Sequence, residues 1–219
     1  MKKDLVELVF ILDRSGSMRG LESDTIGGFN NLLEKQRKEK GEAVISTVLF
    51  DHDFDVVHNR NDIQRVEPLT DKQYFVRGST AMLDAIGRSI LKIREVHRHL
   101  GPDNVPEKTM FVITTDGMEN ASRDFDWQTV KRLISESTEK DGWEFVFLGA
   151  NIDAAETAGR MGIRKERAAN YVHDEHGTET NFNVLDREIA YLRSTKNLRE
   201  TWKDDIDLDF KTRVSKKKK

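Results

Sequence analysis

The sequence predicts an α/β fold in which a doubly wound, mostly parallel sheet carries helices on both faces and one antiparallel strand at an edge. Residues 5–12 are apolar at odd and even positions apart from Glu7, which is typical of a central parallel strand covered on both faces. Further short apolar runs alternate with segments of helical periodicity, as in βαβ units. The polar segment 51–53 joins two strand-like runs as a hairpin, which makes the second run an antiparallel edge strand.

The elements follow in regular order. A first helix, capped by Ser23 or Asp24, ends near Gly41, and the most strongly amphipathic helix starts after residues 77–81 and stops before Gly101. Residues 59–76 are polar and weakly periodic, so we expect a loop there with a short helical turn. The other predicted strands cover residues 43–50, 54–58, 109–114, 143–148 and 169–172, and the other predicted helices cover 127–134, 154–161 and 181–198.

The length and the lack of a linker predict a single domain over residues 1–200. The chain has 219 residues, and no stretch rich in proline, glycine and serine divides it. Residues 201–219 pass from an acidic segment to four lysines at 216–219. We expect this end to be a flexible, charged tail or to dock only on a partner.

Composition indicates a soluble, cytoplasmic protein. The net charge is -3 with 34% charged residues, so nothing attracts the whole molecule to nucleic acid or to an anionic membrane. No apolar run reaches a membrane-spanning length, and cysteine is absent, which excludes disulfides and thiolate zinc sites. The basic start followed by apolar residues is similar to a signal peptide, but Asp4 and Glu7 interrupt it.

Polar residues with oxygen side chains follow two of the buried strands and precede one helix. Asp13, Ser15 and Ser17 come directly after the first strand, Thr80 stands before the amphipathic helix, and Asp116 follows the strand at 109–114. Loops at the carboxyl ends of parallel strands share one rim of an open α/β sheet, where ligands bind. Oxygen-only ligands suit a hard cation such as Mg²⁺ or Mn²⁺.

This arrangement resembles the von Willebrand factor A (VWA) domain family, whose metal-ion-dependent adhesion site (MIDAS) is written D-x-S-x-S, then a threonine, then an aspartate. The resemblance runs from about residue 4 to at least 148, and it places the five matching residues at Asp13, Ser15, Ser17, Thr80 and Asp116. It implies that the two serines and the threonine contact the metal and that the two aspartates act largely through bound waters. A cation with neutral direct ligands keeps an open position for a partner's carboxylate.

Each of these residues also has an ordinary structural interpretation. Ser15 and Ser17 can form a helix-entry turn, Thr80 can cap the following helix, and Asp116 with its glycine can form a turn. Arg14 could meet an acidic partner or phosphate, although an exposed arginine is the simpler expectation. His52 between two aspartates could indicate a second metal site, but a solvated hairpin turn accounts for it as well.

Two functions from different classes remain open. The first is a metal-dependent protein-interaction module that binds a partner's Asp or Glu within a larger intracellular complex, without catalysis. The alternative is a Mg²⁺-dependent phosphoryl hydrolase with Asp13 as nucleophile, although Ser15 stands where such enzymes have their second aspartate. The lysine run suggests nucleic-acid binding, but net charge and the acidic segment before it argue against that. In related integrin-type domains the last helix moves with metal ligation, which suggests the same for residues 181–198.

Overall fold

The computed structural model describes residues 1–217 as one sheet surrounded by helices. The strands are β1 (Lys2–Asp13), β2 (Glu42–Phe50), β3 (Phe54–Asp62), β4 (Pro106–Thr115), β5 (Glu144–Gly149) and β6 (Ala168–Asn170). They lie in the order β3-β2-β1-β4-β5-β6, and only β3 pairs antiparallel with its neighbour. The predicted fold class is confirmed, including the hairpin that places an antiparallel strand at one edge.

Helices cover both faces of the sheet. They are α1 (Glu22–Gln36), α2 (Met82–His99), α3 (Trp127–Asp141), α4 (Ala154–Arg160), α5 (Glu175–Thr195) and α6 (Asp204–Lys217). One apolar cluster joins the sheet to α1, α5 and α6, and the other joins it to α2, α3 and α4. Within the described residues, no helix is both long and apolar enough to span a lipid bilayer.

The central strand β1 contributes to both clusters because successive side chains point to opposite faces. Phe10 and Leu12 lie in the cluster with α1 and α5, whereas Val9 and Ile11 lie in the cluster with α2 and α3. This explains why the strand is apolar at both parities. It also places Asp13 at a buried strand end in the middle of the sheet.

Glu7 is an acidic residue in the middle of β1, and its side chain is fully inaccessible. Arg60 Nε donates to Glu7 Oε1 at 2.5 Å, and His97 Nε2 lies 2.5 Å from Glu7 Oε2. The carboxylate therefore links the central strand to the edge strand β3 and to the end of α2.

The structure differs from the sequence prediction in the segment after the hairpin. Strand β3 continues to Asp62 rather than ending at residue 58, and the expected loop buries four apolar side chains. Residues 63–76 lie against the cluster on the α1 face through Ile63, Val66, Leu69 and Tyr74. Isolated apolar residues in a polar segment gave no periodic signal, although each of them reaches the core.

The structure also differs at the C-terminal end of the chain. Helix α5 begins at Glu175, six residues earlier than the predicted helix, and the side chain of its N-cap Asp174 accepts from the Gly177 N–H. Residues 204–217, which we expected to be a flexible tail, form α6. Trp202 and Ile206 are each 1% exposed and belong to the core cluster on that face. Lysines 218 and 219 lie outside the described residues.

Candidate metal centre

The candidate residues lie where the sheet order changes direction. Strands β1 and β4 are parallel neighbours, but the chain continues from them to opposite sides of the sheet, to β2 and to β5. Such a point leaves a crevice beyond the carboxyl ends of the two strands. Asp13 ends β1, and Asp116 directly follows Thr115 at the end of β4.

Asp13 is fully buried, and both of its carboxylate oxygens accept hydrogen bonds. Oδ1 accepts from the Ser15 backbone N–H at 2.7 Å, and Oδ2 accepts from the Thr115 hydroxyl at 2.6 Å. Burial raises the pKa of Asp13 to about 6 in spite of these bonds, and the nearby Asp116 adds to the rise. A cation in the crevice would favour the ionised form of this carboxylate.

Side-chain oxygens connect the loop after β1 with Asp116. Ser15 Oγ and Ser17 Oγ are 3.1 Å apart, and the Ser17 hydroxyl donates to Asp116 Oδ1 at 2.5 Å. The loop is held in this turn by the Gly16 N–H, which donates to the Gly78 carbonyl at 3.1 Å. Residues far apart in the sequence are thus brought into one polar cluster.

Thr80 is buried beside the same cluster. Its N–H donates to Asn120 Oδ1 at 2.9 Å, and the Asn120 N–H donates to the Thr80 carbonyl at 3.0 Å. A Cβ on Gly117 would lie 3.3 Å from Ser17 Oγ and 3.5 Å from Thr80 Oγ1, so both hydroxyls adjoin this backbone. The sequence interpretation of Thr80 as the cap of the following helix is wrong, because Ala81 occupies the N-cap of α2.

Buried and half-buried carboxylates fix the loop that follows Asp116 to the start of α2. Glu119 Oε2 accepts from the Leu83 N–H at 2.9 Å, which satisfies one free donor of the first helical turn. Asp84 in turn accepts from three consecutive backbone N–H groups, those of residues 123–125. These contacts hold the Thr80 and Asp116 loops together.

The imidazole of His173 is part of the cluster, and sequence analysis missed it. His173 follows β6, and its Nε2 lies 2.9 Å from Asp116 Oδ2. Among the described residues neither atom has a hydrogen bond of good geometry. The Asp116 carboxylate raises the pKa of His173 above its usual value. No spacing in the sequence indicates this contact, because β6 reaches the rim only through the sheet order.

Tyr74 is a second residue that the sequence did not indicate. It is 1% exposed, and its hydroxyl donates to the backbone carbonyl of Asp13 at 2.6 Å. Burial raises the pKa of this phenol well above its usual value, so the hydroxyl stays a donor. Tyr74 therefore fixes the position of the last residue of β1.

Arg14 is buried and contacts carboxylates of its own chain, whereas both sequence interpretations placed it at the surface. It is 2% exposed, its Nε donates to Asp51 Oδ2 at 2.8 Å, and its Nη2 contacts Asp55. Asp51, His52 and Asp53 offer ligand atoms within 4.8 Å of one another. However, Asp51 Oδ2 also accepts from Arg77 Nε at 2.8 Å, and two guanidinium groups on one carboxylate disfavour a cation there.

The donor set in the crevice suits a hard divalent cation. Three hydroxyls and two carboxylates supply only oxygen, and Asp116 Oδ2 is a buried acceptor without a well-aligned donor in the described part of the chain. Asp13 and Asp116 are both buried, and the single imidazole of His173 can balance at most one of the two charges, so a divalent cation would lower the cost of removing these carboxylates from water. Ser15, Ser17, Thr80, Asp13 and Asp116 could therefore hold a divalent cation together.

Comparison with solved structures shows the same architecture. Proximal thread matrix protein 1 from the mussel byssus, in a structure with a zinc-occupied MIDAS motif, superposes with a TM-score of 0.57 at 15% identity and covers 84% of this chain. The ArnB paralog VWA2 from Sulfolobus acidocaldarius gives 0.53 at 16% identity over 84% of this chain. A von Willebrand factor type A protein from Catenulispora acidiphila gives 0.54 at 13% identity over 83%.

This chain has the VWA fold. The matched regions make up 46%, 44% and 42% of those three chains, so this chain spans less than half of each. No protein-family model matches the sequence, and no curated protein sequence matches it. The likeness is one of fold.

Proposed function

We propose that this VWA-like protein is a metal-dependent interaction module that binds an acidic residue of a protein partner through a divalent cation, Mg²⁺ or Mn²⁺. Asp13, Ser15, Ser17, Thr80 and Asp116 are the proposed metal residues, and the module works within a larger intracellular complex. The observation that carries this proposal is the linked set of Ser15, Ser17 and Asp116 oxygens at the crevice, with Thr80 beside them.

The chain's own contacts suit that role. The hydroxyls of Ser15, Ser17 and Thr80 are neutral donors, so a bound cation would retain its attraction for a further carboxylate. Asp13 is anchored by the Thr115 hydroxyl and the Ser15 N–H, which fix the orientation of its carboxylate. A pre-organised site of this kind spends little free energy on ordering its own groups when a partner binds.

The phosphoryl hydrolase alternative has no support in the geometry. A nucleophilic carboxylate needs an accessible oxygen that can reach the reacting phosphorus. Asp13 is fully buried, and each of its oxygens accepts a short hydrogen bond. We therefore propose no catalytic activity for this site.

Metal binding is tested by isothermal titration with MgCl₂ and MnCl₂ on the metal-stripped protein. We expect saturable binding by wild type, and at a hundredfold excess over Kd a stabilisation of about 2.7 kcal/mol in chemical unfolding. Asp13→Ala and Ser17→Ala should lose both effects. Asp103→Ala, an exposed aspartate at the opposite end of the sheet, is the matched control and should behave as wild type.

Partner binding is tested by affinity capture from native lysate with Mg²⁺ and with EDTA. A partner retained only by metal-loaded wild type and by Asp103→Ala supports the proposal. If the same proteins remain bound in EDTA and to Asp13→Ala, the crevice is not the interaction surface.

A further inference from the structure

A cavity of about 480 Å³ lies next to the candidate metal centre on the same rim of the sheet. It is bounded by the residues that follow β5, the residues that follow β6, and one side of α6. Its apolar lining consists of Ile152, Tyr171, Val172, Phe210 and Val214. A space of this size accepts one or two large side chains.

The cavity and the metal centre share His173. This residue lines the cavity, and its Nε2 is 2.9 Å from Asp116 Oδ2. The sheet continues directly between the two sites, because the Ala150 N–H donates to the Thr115 carbonyl and the Tyr171 N–H donates to the Gly149 carbonyl, both at 3.0 Å. Since neighbouring strands lie about 4.8 Å apart, the cavity begins roughly 5–10 Å from Asp116.

The wall formed by α6 is held in place by polar and apolar contacts. Arg213 Nη1 donates to Asp174 Oδ2 at 2.6 Å, and Arg213 Nε donates to Asp209 Oδ2 at 3.0 Å. Trp202 and Ile206 anchor the start of the segment in the core. Asp153 also lines the cavity, and its Oδ1 accepts from the Glu156 N–H as the cap of α4.

We propose that this cavity receives a large apolar side chain of the same partner segment whose carboxylate occupies the metal centre. The inference rests on the proposed function, and it defines the partner as an acidic segment with an aliphatic or aromatic residue one to three positions from its Asp or Glu. That spacing follows from the roughly 5–10 Å between the sites and about 3.3–3.6 Å per extended residue. Met118, two residues beyond Asp116 and 75% exposed, adds adaptable apolar surface to the rim.

The test is an array of immobilised octapeptides with one fixed Asp, in which each neighbouring position is varied, probed with the full chain in Mg²⁺ and in EDTA. We expect binding in Mg²⁺ to require the Asp and to favour Leu, Ile, Phe or Trp at one fixed offset. In solution, replacing that apolar residue of the best peptide by Ala should weaken binding about tenfold or more, as expected for losing one buried side chain.

Two variants of α6 separate the cavity from the rest of the helix. Val214→Trp fills the cavity and should remove the apolar preference while Mg²⁺ binding and the requirement for Asp remain. Leu208→Lys, at a site 66% exposed on the same helix, should leave the preference intact. Far-ultraviolet circular dichroism and thermal unfolding test whether Val214→Trp is folded. As a second cavity-filling variant, Ile152→Trp fills the same cavity from the β5 side and should have the same effect on the apolar preference.

The outcomes distinguish the two proposals. Binding that requires Mg²⁺ and Asp but shows no apolar preference, or a preference that both cavity-filling variants retain, overturns this inference and leaves the proposed function standing. Binding that requires neither Mg²⁺ nor Asp overturns both.

Discussion

Glu7 shows at the scale of one residue how a buried charge is tolerated in a central strand. The carboxylate has no access to water; Arg60 from β3 supplies its counter-charge, and the His97 ring from α2 lies within hydrogen-bond distance of it. A buried ion pair is weak evidence for net stabilisation, but removing one partner leaves the others uncompensated. Position 7 therefore tolerates a glutamate because the side chains packed around it bind its carboxylate.

We expect Glu7→Ala to lower the free energy of unfolding by about 3–5 kcal/mol, because Arg60 loses its buried counter-charge and the His97 ring loses its carboxylate partner. Urea unfolding followed by circular dichroism measures this change. Glu42→Ala removes the exposed ion pair with Lys2 and should cost less than about 1 kcal/mol. Equal effects of the two substitutions would contradict the structural account of Glu7.

Gly78 is a residue at which both backbone conformation and space demand glycine. Its φ is +65°, and a Cβ there would lie 1.9 Å from His52 Nδ1. Gly142 has the same φ with no atom within 4 Å of its Cβ position in the described part of the chain. The pair separates backbone strain from steric overlap.

Gly142→Ala should cost about 1–2 kcal/mol of stability through the left-handed backbone alone. Gly78→Ala should cost more, since the imidazole must also move away from the Thr80 loop. Chemical unfolding of both variants and of the double substitution His52→Ala/Gly78→Ala measures the difference. Relative to His52→Ala, the double variant should lose about as much free energy of unfolding as Gly142→Ala loses relative to wild type. If the larger loss persists without the imidazole, His52 is not the source of the steric overlap.

At the scale of elements, α6 shows how a charged segment can be a helix with a specific place. Its first turn carries Asp204, Asp205 and Asp207, and its end is basic. This distribution favours a helix because its N-terminal end has partial positive charge and its C-terminal end partial negative charge. In the sequence alone, the same charges suggested a flexible tail. Trp202 and Ile206 were the apolar residues that could have indicated that this segment packs against the core.

Trp202 is the anchor of this segment: it is 1% exposed, and its Nε1 donates to the Glu166 carbonyl at 2.6 Å. We expect Trp202→Ala to lower the free energy of unfolding by about 3–5 kcal/mol, as for other large core truncations. Leu208→Ala on the exposed side should stay within about 0.5 kcal/mol of wild type. Identical denaturant midpoints for wild type and Trp202→Ala would contradict the packing of this segment against the core and would favour a flexible tail over residues 201–217.

At the scale of the whole molecule, a buried ionic group connects the hairpin to the rim. Asp51 Oδ2 accepts from Arg14 and Arg77, its Oδ1 accepts from the Asp53 N–H at 2.7 Å, and His52 Nδ1 lies 3.2 Å from Oδ1. Burial by itself raises the pKa of Asp51, but the hydrogen bonds outweigh it, so the net pKa lies below the usual value.

Because the pKa of Asp51 is lower in the folded than in the unfolded protein, its ionised form stabilises the fold fully above the unfolded pKa of about 3.9. This stabilisation is lost as the pH falls through the lower pKa of the folded protein. We expect Asp51→Asn to be less stable than wild type at pH 7 by about 3 kcal/mol. The difference should shrink below about pH 4. Urea unfolding from pH 7 to pH 3 measures it, and a difference independent of pH would contradict the assignment.

The fold class was predictable because its signals are local, and the same local signals indicate which residues are candidates for the metal centre. A strand covered on both faces is apolar at nearly every position, and the alternation of such strands with amphipathic helices indicates a parallel sheet. The oxygen-bearing residues at 13, 15, 17, 80 and 116 each adjoin a strand or helix that the periodicity already indicates. Their common rim then follows from the topology of parallel strands.

Only the tertiary structure decided which distant residues support that rim. Tyr74 and His173 contact Asp13 and Asp116 across sequence separations that no periodicity encodes, and Arg14 turned inward because Asp51 and Asp55 lie beside it. The place of α6 was decided in the same way, because a helix with few apolar residues docks only where the sheet and α5 present a surface for Trp202 and Ile206. Local patterns determine elements and their order, whereas burial and pairing depend on neighbours that the folded chain alone brings together.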